Sequence, residues 1–220
     1  MTICGIATLP TRVENLKLVL QAISPQVDRV YVALNGHKEV PVWHGEFDNV
    51  YFELFDNSRG DAMKFAWAFT KDCYYFGLDD DLEVHNGYVD YMIDGVNRYN
   101  GLVSLHGRNY PTPFIGFKRW VGNYRCLGSV PEDVKVNFIG SGICAFHTDR
   151  LKLSLSDFKR KNMADAFLSQ QATLQGVPMV VLKHEIDYLK YLQPSDTPIW
   201  NMTHDYSYHE EIMRDFINNH

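Results

Sequence analysis

The run Tyr74-Tyr75-Phe76-Gly77-Leu78-Asp79-Asp80-Asp81 constrains this chain more than any other stretch. An apolar segment this short, lying mid-chain and ending in charge, reads as a buried strand whose C-terminal end opens on a crevice. Three consecutive carboxylates repel one another, so they need free solvent or a neutralising cation. Hard oxygen donors suit Mg²⁺ or Mn²⁺, ions that also bind diphosphates. A solvated acidic turn is the alternative for an isolated Asp triplet, and the apolar strand before it weighs against that.

Around this run, short apolar segments alternate with amphipathic ones. Ile3 to Ala7, Val30 to Leu34 and Val50 to Phe55 read as strands. The first leads into a loop at Pro10, then a helix over Val13 to Ser24 through Leu16, Val19, Leu20 and Ile23, capped by Thr11. A second helix is expected over Asp61 to Thr70, with Ala62, Phe65, Ala66 and Phe69 on one side, and a third over Asn86 to Arg98. Leu102 to Leu105 is a strand. From His106 to Val136 the periodicity disappears, and the segment reads as a lid or binding loop on the acceptor side. Gly107, Gly116, Gly122 and Gly128 are its candidate hinges, and Trp120 and Tyr124 its candidate sugar-stacking rings. Asn137 to Phe146 returns to strand character, Met163 to Gln175 is a helix, Met179 to Leu182 a strand, and the tail ends in a helix near His209 to Ile217.

This alternation predicts an α/β fold: a mostly parallel, doubly wound sheet with helices on both faces and a smaller acceptor-side region. The 220 residues are read as one domain, with a nucleotide-binding half over 1–105 and an acceptor-side half with the C-terminal tail over 106–220. Ligands of such sheets sit at the carboxyl ends of the strands. There the polar residues gather: Thr8 and Arg12, Asn35, Asn57 to Lys64, and Asp79 to Asp81. No GxGxxG follows the first strand and no GxxxxGK[ST] occurs, so a dinucleotide fold and a P-loop are disfavoured.

A net charge of −6 with scattered Lys and Arg argues against nucleic acid as a partner. No apolar run is long enough to span a membrane, and the N-terminus lacks a basic start and apolar core, so a cytoplasmic location is expected. Cys4, Cys73, Cys126 and Cys144 form no CxxC pair and read as reduced thiols.

The order of these features resembles a glycosyltransferase of the A-type (GT-A) fold, similar to the large family of inverting bacterial sugar transferases. The opening Ile-Ala-Thr-Leu-Pro-Thr-Arg, followed by Glu14-Asn15-Leu16, is similar to the family's nucleotide-binding start, and Asp79-Asp80-Asp81 to its Asp-x-Asp motif. Gly140-Ser141-Gly142 resembles its glycine-rich loop. Asp165 stands where such enzymes place a carboxylate at a helix start, and His204 where many carry a late metal-binding histidine. Ala164 replaces an acid often found before that carboxylate, and Asn35 an Asp that reads the base.

The resemblance implies transfer of a sugar from a nucleotide diphosphate sugar, UDP favoured, to a carbohydrate or other hydroxyl-bearing acceptor, with inversion. Thr8, Pro10, Arg12, Asn35, Arg59, Gly60, Lys64, Asp79, Asp80, Gly140, Ser141 and Gly142 would bind the nucleotide sugar. Asp79, Asp81 and His204 would hold Mn²⁺ or Mg²⁺, and Asp165 would be the general base, with Asp133, Asp149 and Asp157 as competitors. A sugar-phosphate nucleotidyltransferase and a non-catalytic nucleotide- or carbohydrate-binding module of the same fold are the other readings.

Overall fold

In the computed structural model, residues 1–193 and 206–219 are described. The strands in chain order are β1 (Thr2–Thr8), β2 (Arg29–Asn35), β3 (Val50–Phe55), β4 (Tyr74–Asp79), β5 (Leu82–Glu83), β6 (Leu102–Ser104), β7 (Gly107–Asn109), β8 (Gly122–Tyr124), β9 (Val134–Lys135), β10 (Phe138–Ile139), β11 (Ile143–His147), β12 (Met179–Val181) and β13 (Lys190–Tyr191). The helices are α1 (Val13–Ile23), α2 (Tyr88–Tyr99), α3 (Ala164–Leu174) and α4 (Ser207–Asn219). Eight strands form one sheet in the order β3-β2-β1-β4-β11-β6-β12-β9. Pairing is parallel from β3 through β4 and again between β6 and β12, while β11 runs antiparallel to both of its neighbours.

Both faces of the sheet are covered. Cys4 and Ile6 of β1, Val30, Val32 and Leu34 of β2, and Phe76 and Leu78 of β4 pack under α1 and α2. Alternate residues, Ile3 and Tyr75 with Cys144 and Phe146 of β11, pack under α3 and α4. α1 forms because Leu16, Val19, Leu20 and Ile23 share one side and are fully buried, each worth about 1.5–3 kcal/mol relative to exposure. A 3-10 turn over Pro10–Arg12 precedes it, so the N-cap is Arg12 and not the expected Thr11. α2 ends at Asn100, whose left-handed backbone (φ 47°) closes the last turn.

Three local expectations need correction. Residues 61–70 do not form an α-helix: a 3-10 helix spans Gly60–Phe65, turns follow, and Phe69 is 71% exposed. The carbonyl of Lys64 accepts a hydrogen bond from the Tyr75 hydroxyl at 2.6 Å, which diverts it from a helical ladder. The expected single strand over Asn137 to Phe146 breaks at Gly140-Ser141-Gly142 into β10 and β11, which belong to different sheets. Finally, the His106 to Val136 segment contributes β7, β8 and β9, and buries Tyr110, Phe114 and Val130 in the core.

The sheet also has a tight internal joint. A Cβ at Gly5 would lie 1.9 Å from the Lys64 carbonyl oxygen and 2.3 Å from the Tyr75 hydroxyl. Gly5→Ala is therefore expected to destabilise the fold by about 3 kcal/mol or more, read as a lowered denaturation midpoint with an unchanged slope. An unchanged midpoint would show that this joint yields.

Candidate functional site

β1, β2 and β4 run in the same direction, and their register sets Ala7 beside Asp79 and Thr8 beside Leu34. Their C-terminal ends therefore share one edge of the sheet, which we call the crest. β11, entering antiparallel, starts at the crest: Ile143 pairs with Leu78, and the Asp79 amide donates to the Gly142 carbonyl at 2.8 Å. The Gly140–Gly142 turn thus lies against the acids. A Cβ at Gly142 would be 2.0 Å from Asp79 Oδ2, so only glycine leaves that carboxylate its place.

The three acids have different surroundings. Asp79 has a side chain 43% exposed and paired with the ammonium of Lys64, which is buried. Asp80 is buried and accepts from Arg12 Nη1 at 3.2 Å. Burial pushes its carboxyl up to about 6, although hydrogen bonding from Thr8 and the Arg12 charge oppose this. Asp81 lies 3.6 Å from the same guanidinium, with a side chain 17% exposed. Burial, then repulsion from Asp79 and Asp80, pushes it up to about 7.

Asp61 and Asp165 extend the cluster. Asp61 Oδ2 accepts from the Ala164 amide at 3.2 Å, at the start of α3, while its Oδ1 is shut off from solvent without a partner. Burial lifts this carboxyl to about 6 against the pull of Lys64. Burial also disfavours the Lys64 charge, but Asp79 and Asp61 outweigh it and hold the ammonium above its ordinary pKa. Asp165 Oδ1 accepts from both the Ser141 amide, at 2.8 Å, and the Ser141 hydroxyl, at 2.6 Å. The competing carboxylates are engaged elsewhere. Asp133 is tied to Arg98, Tyr99 and the Lys183 amide, Asp157 closes a capping box with Ser154, and Asp149 lies beyond the far end of β11.

The remaining candidates are placed less directly. Asn35 is buried, its Nδ2 donating to the Gly60 carbonyl at 2.9 Å and its Oδ1 unpartnered. Gly60 adopts φ +57°, and Asn162 fills the space a side chain would need. Arg59 is exposed and its Nη1 donates to the Leu155 carbonyl, not to any of the acids. Pro10 is exposed in the turn before α1. His204 lies outside the described residues.

Two neighbours of the acids were not among the expected site residues. His106 follows β6 at the crest, against Gly140, and burial followed by the charge of Arg108 pushes its imidazole down to about 4. The half-buried Cys126 has a thiol pushed up to about 11 by burial and then by Asp79. The general rule that polar residues after a strand gather at the crest would have found His106. Nothing local marks Cys126, which arrives on the long aromatic segment.

Among the described residues, the five carboxylates Asp61, Asp79, Asp80, Asp81 and Asp165 gather around two buried cations, Arg12 and Lys64. An excess of buried negative charge with a partly open carboxylate is a donor set that a hard divalent cation fits. Asp79 and Asp81 would be its protein ligands, with the remaining positions left to phosphate and water. Among the described residues, the one group of three or more His, Cys, Asp or Glu side chains whose ligand atoms converge within 4.8 Å is different: Asp72, His147 and Asp149. It lies at the opposite edge, where β4 begins and β11 ends, about 17 Å along the strand from the crest.

No helix among the described residues is long and apolar enough to cross a membrane. No protein-family model matches the chain, and no curated protein matches it either.

Proposed function

We propose that this protein is a metal-dependent glycosyltransferase of the GT-A type that moves a sugar from a nucleotide diphosphate sugar, UDP-sugar favoured, to an acceptor hydroxyl with inversion. The observation that carries the reading is the crest itself. A carboxylate cluster after β4 faces a glycine-containing turn that holds a separate carboxylate, Asp165, by two hydrogen bonds. The mostly parallel sheet sets one antiparallel strand, β11, beside the acid-bearing β4, and so brings that turn to the acids.

A divalent ion at Asp79 and Asp81, when bound, supplies positive charge to the departing diphosphate. Arg12 braces Asp80 and Asp81 from behind. Ser141 holds Oδ1 of Asp165, leaving Oδ2 to accept the proton of the acceptor hydroxyl as its oxygen attacks the anomeric carbon. The bond from that carbon to the diphosphate breaks on the opposite side, so configuration inverts.

Incubation with a nucleotide-sugar panel and Mn²⁺ tests the activity. Release of a nucleoside diphosphate is the expected result. Pyrophosphate would instead mark a nucleotidyltransferase, and binding without turnover a module.

Protons should compete with the cation. Asp80 and Asp81 are raised from 3.8 to about 6 and about 7, so the fold favours their protonated forms. Their contribution to stability is fully present below the unfolded pKa and is lost as pH rises through about 7. Bound Mn²⁺ needs Asp81 ionised, so the rise in Tm that Mn²⁺ produces should be small near pH ~5.5 and largest near pH ~8. A rise independent of pH would separate the cation from these acids.

A further inference from the structure

The buried Lys64 ammonium forms its one described side-chain hydrogen bond with Asp79, the carboxylate assigned above to the cation. A cation arriving there would meet a fixed positive charge unless Lys64 has somewhere else to go. Asp61 and Lys64 are three apart in the 3-10 helix Gly60–Phe65, a spacing that stacks their side chains on one side. Asp61 is anchored through Oδ2 by the Ala164 amide, and presents an Oδ1 that is closed to solvent and has no partner. The Lys64 backbone is pinned too, by the Tyr75 hydroxyl on its carbonyl and by Gly5 packed against it. What remains free to move is the four-carbon stem of Lys64, and Asp61 Oδ1, on the same 3-10 helix, is an open acceptor that carries the charge an ammonium needs, which the amide oxygen of Asn35 does not.

We propose that Asp61 is the second seat of the Lys64 ammonium: when a divalent cation takes Asp79, Lys64 swings from Asp79 to Oδ1 of Asp61. Asp61 is thereby a positioning residue for the cation site, an inference that rests on the metal-dependent reading above. The exchange removes the like-charge clash at Asp79 and gives the orphaned oxygen its hydrogen bond in one movement. Because Asp61 also bonds the first amide of α3, the seat lies one residue from Asp165, so the shift in charge is felt beside the proposed base.

Calorimetry with Mn²⁺ alone, on the full chain, tests the exchange. Asp61→Asn keeps an acceptor for the Ala164 amide but turns an NH₂ group toward Lys64, so Mn²⁺ affinity should fall about 10-fold. Lys64→Met removes the competitor and should tighten binding, and adding Asp61→Asn to it should then change nothing. An equal loss in both backgrounds, or an unchanged affinity in Asp61→Asn, would overturn the exchange. A measurement that needs no variant to fold is ¹⁵N NMR of the lysine NH₃⁺ groups in the wild type during titration with Mg²⁺, where the buried ammonium signal should move. Saturable Mn²⁺ binding with a stationary Lys64 signal would overturn the exchange alone. A wild type that binds no Mn²⁺ would overturn it together with the metal-dependent reading.

Discussion

Replacing Asp165 by Asn should lower turnover by about two to four orders of magnitude while donor affinity persists. The local geometry makes this a clean substitution. Asp165 Oδ1 accepts two hydrogen bonds from Ser141, and an amide oxygen can accept both. α3 does not depend on the charge for its first turn, because the Ala164 amide is satisfied by Asp61. What the amide cannot do is take a proton. If Asp165 served only to brace the turn, Asn would do so nearly as well and turnover would be almost untouched. NMR of the product gives a second check, since the new linkage should have the anomeric configuration opposite to that of the donor. Retention would remove Asp165 from the base role even if metal-dependent transfer survived.

The second large effect is expected at Asp81, where one substitution should move two properties in opposite directions. Asp81→Ala should reduce UDP affinity in Mn²⁺ by at least about 100-fold and abolish its sensitivity to EDTA. The same change takes away a carboxylate crowded by Asp79 and Asp80, so without metal the variant should melt at a higher temperature than the wild type near neutral pH. Its backbone role survives, because the Leu192 amide donates to the Asp81 carbonyl whatever the side chain. Weaker binding together with a raised Tm cannot come from damage to the fold. UDP binding by the variant that stayed EDTA-sensitive would place the metal elsewhere.

The parallel half of the fold was legible because each apolar run stops at a polar residue and each helix buries a stripe. The expected strand Ile3 to Ala7 is β1 to within a residue at each end, and Leu16, Val19, Leu20 and Ile23 are buried as their spacing implies. The 61–70 helix misled because Ala62, Phe65, Ala66 and Phe69 mimic a helical stripe. The deciding contacts, Tyr75 to the Lys64 carbonyl and Lys64 to Asp79, join residues 11 and 15 positions apart. Local periodicity does not register such contacts. β7 and β8 have three residues each and β9 and β10 two, too few to show alternation. At the site, the acids announce themselves by type and position. The pairing of Asp79 with a buried lysine does not, since Lys64 reads locally as an exposed cation and becomes a counter-ion only when β4 passes beside it.

The antiparallel course of β11 also bears on when the crest comes into being. A chain that had assembled only β3, β2, β1 and β4 would already own its three acids, yet lack the Gly142 carbonyl on Asp79 and the Ser141 clasp on Asp165. Those contacts wait on chain some sixty residues beyond β4, and they form only when β11 pairs with β4 and β6. Competence to bind a donor should therefore lag behind the gain of helix and of the β1–β4 sheet during refolding wherever β11 docks late, which makes nucleotide binding a reporter of that docking.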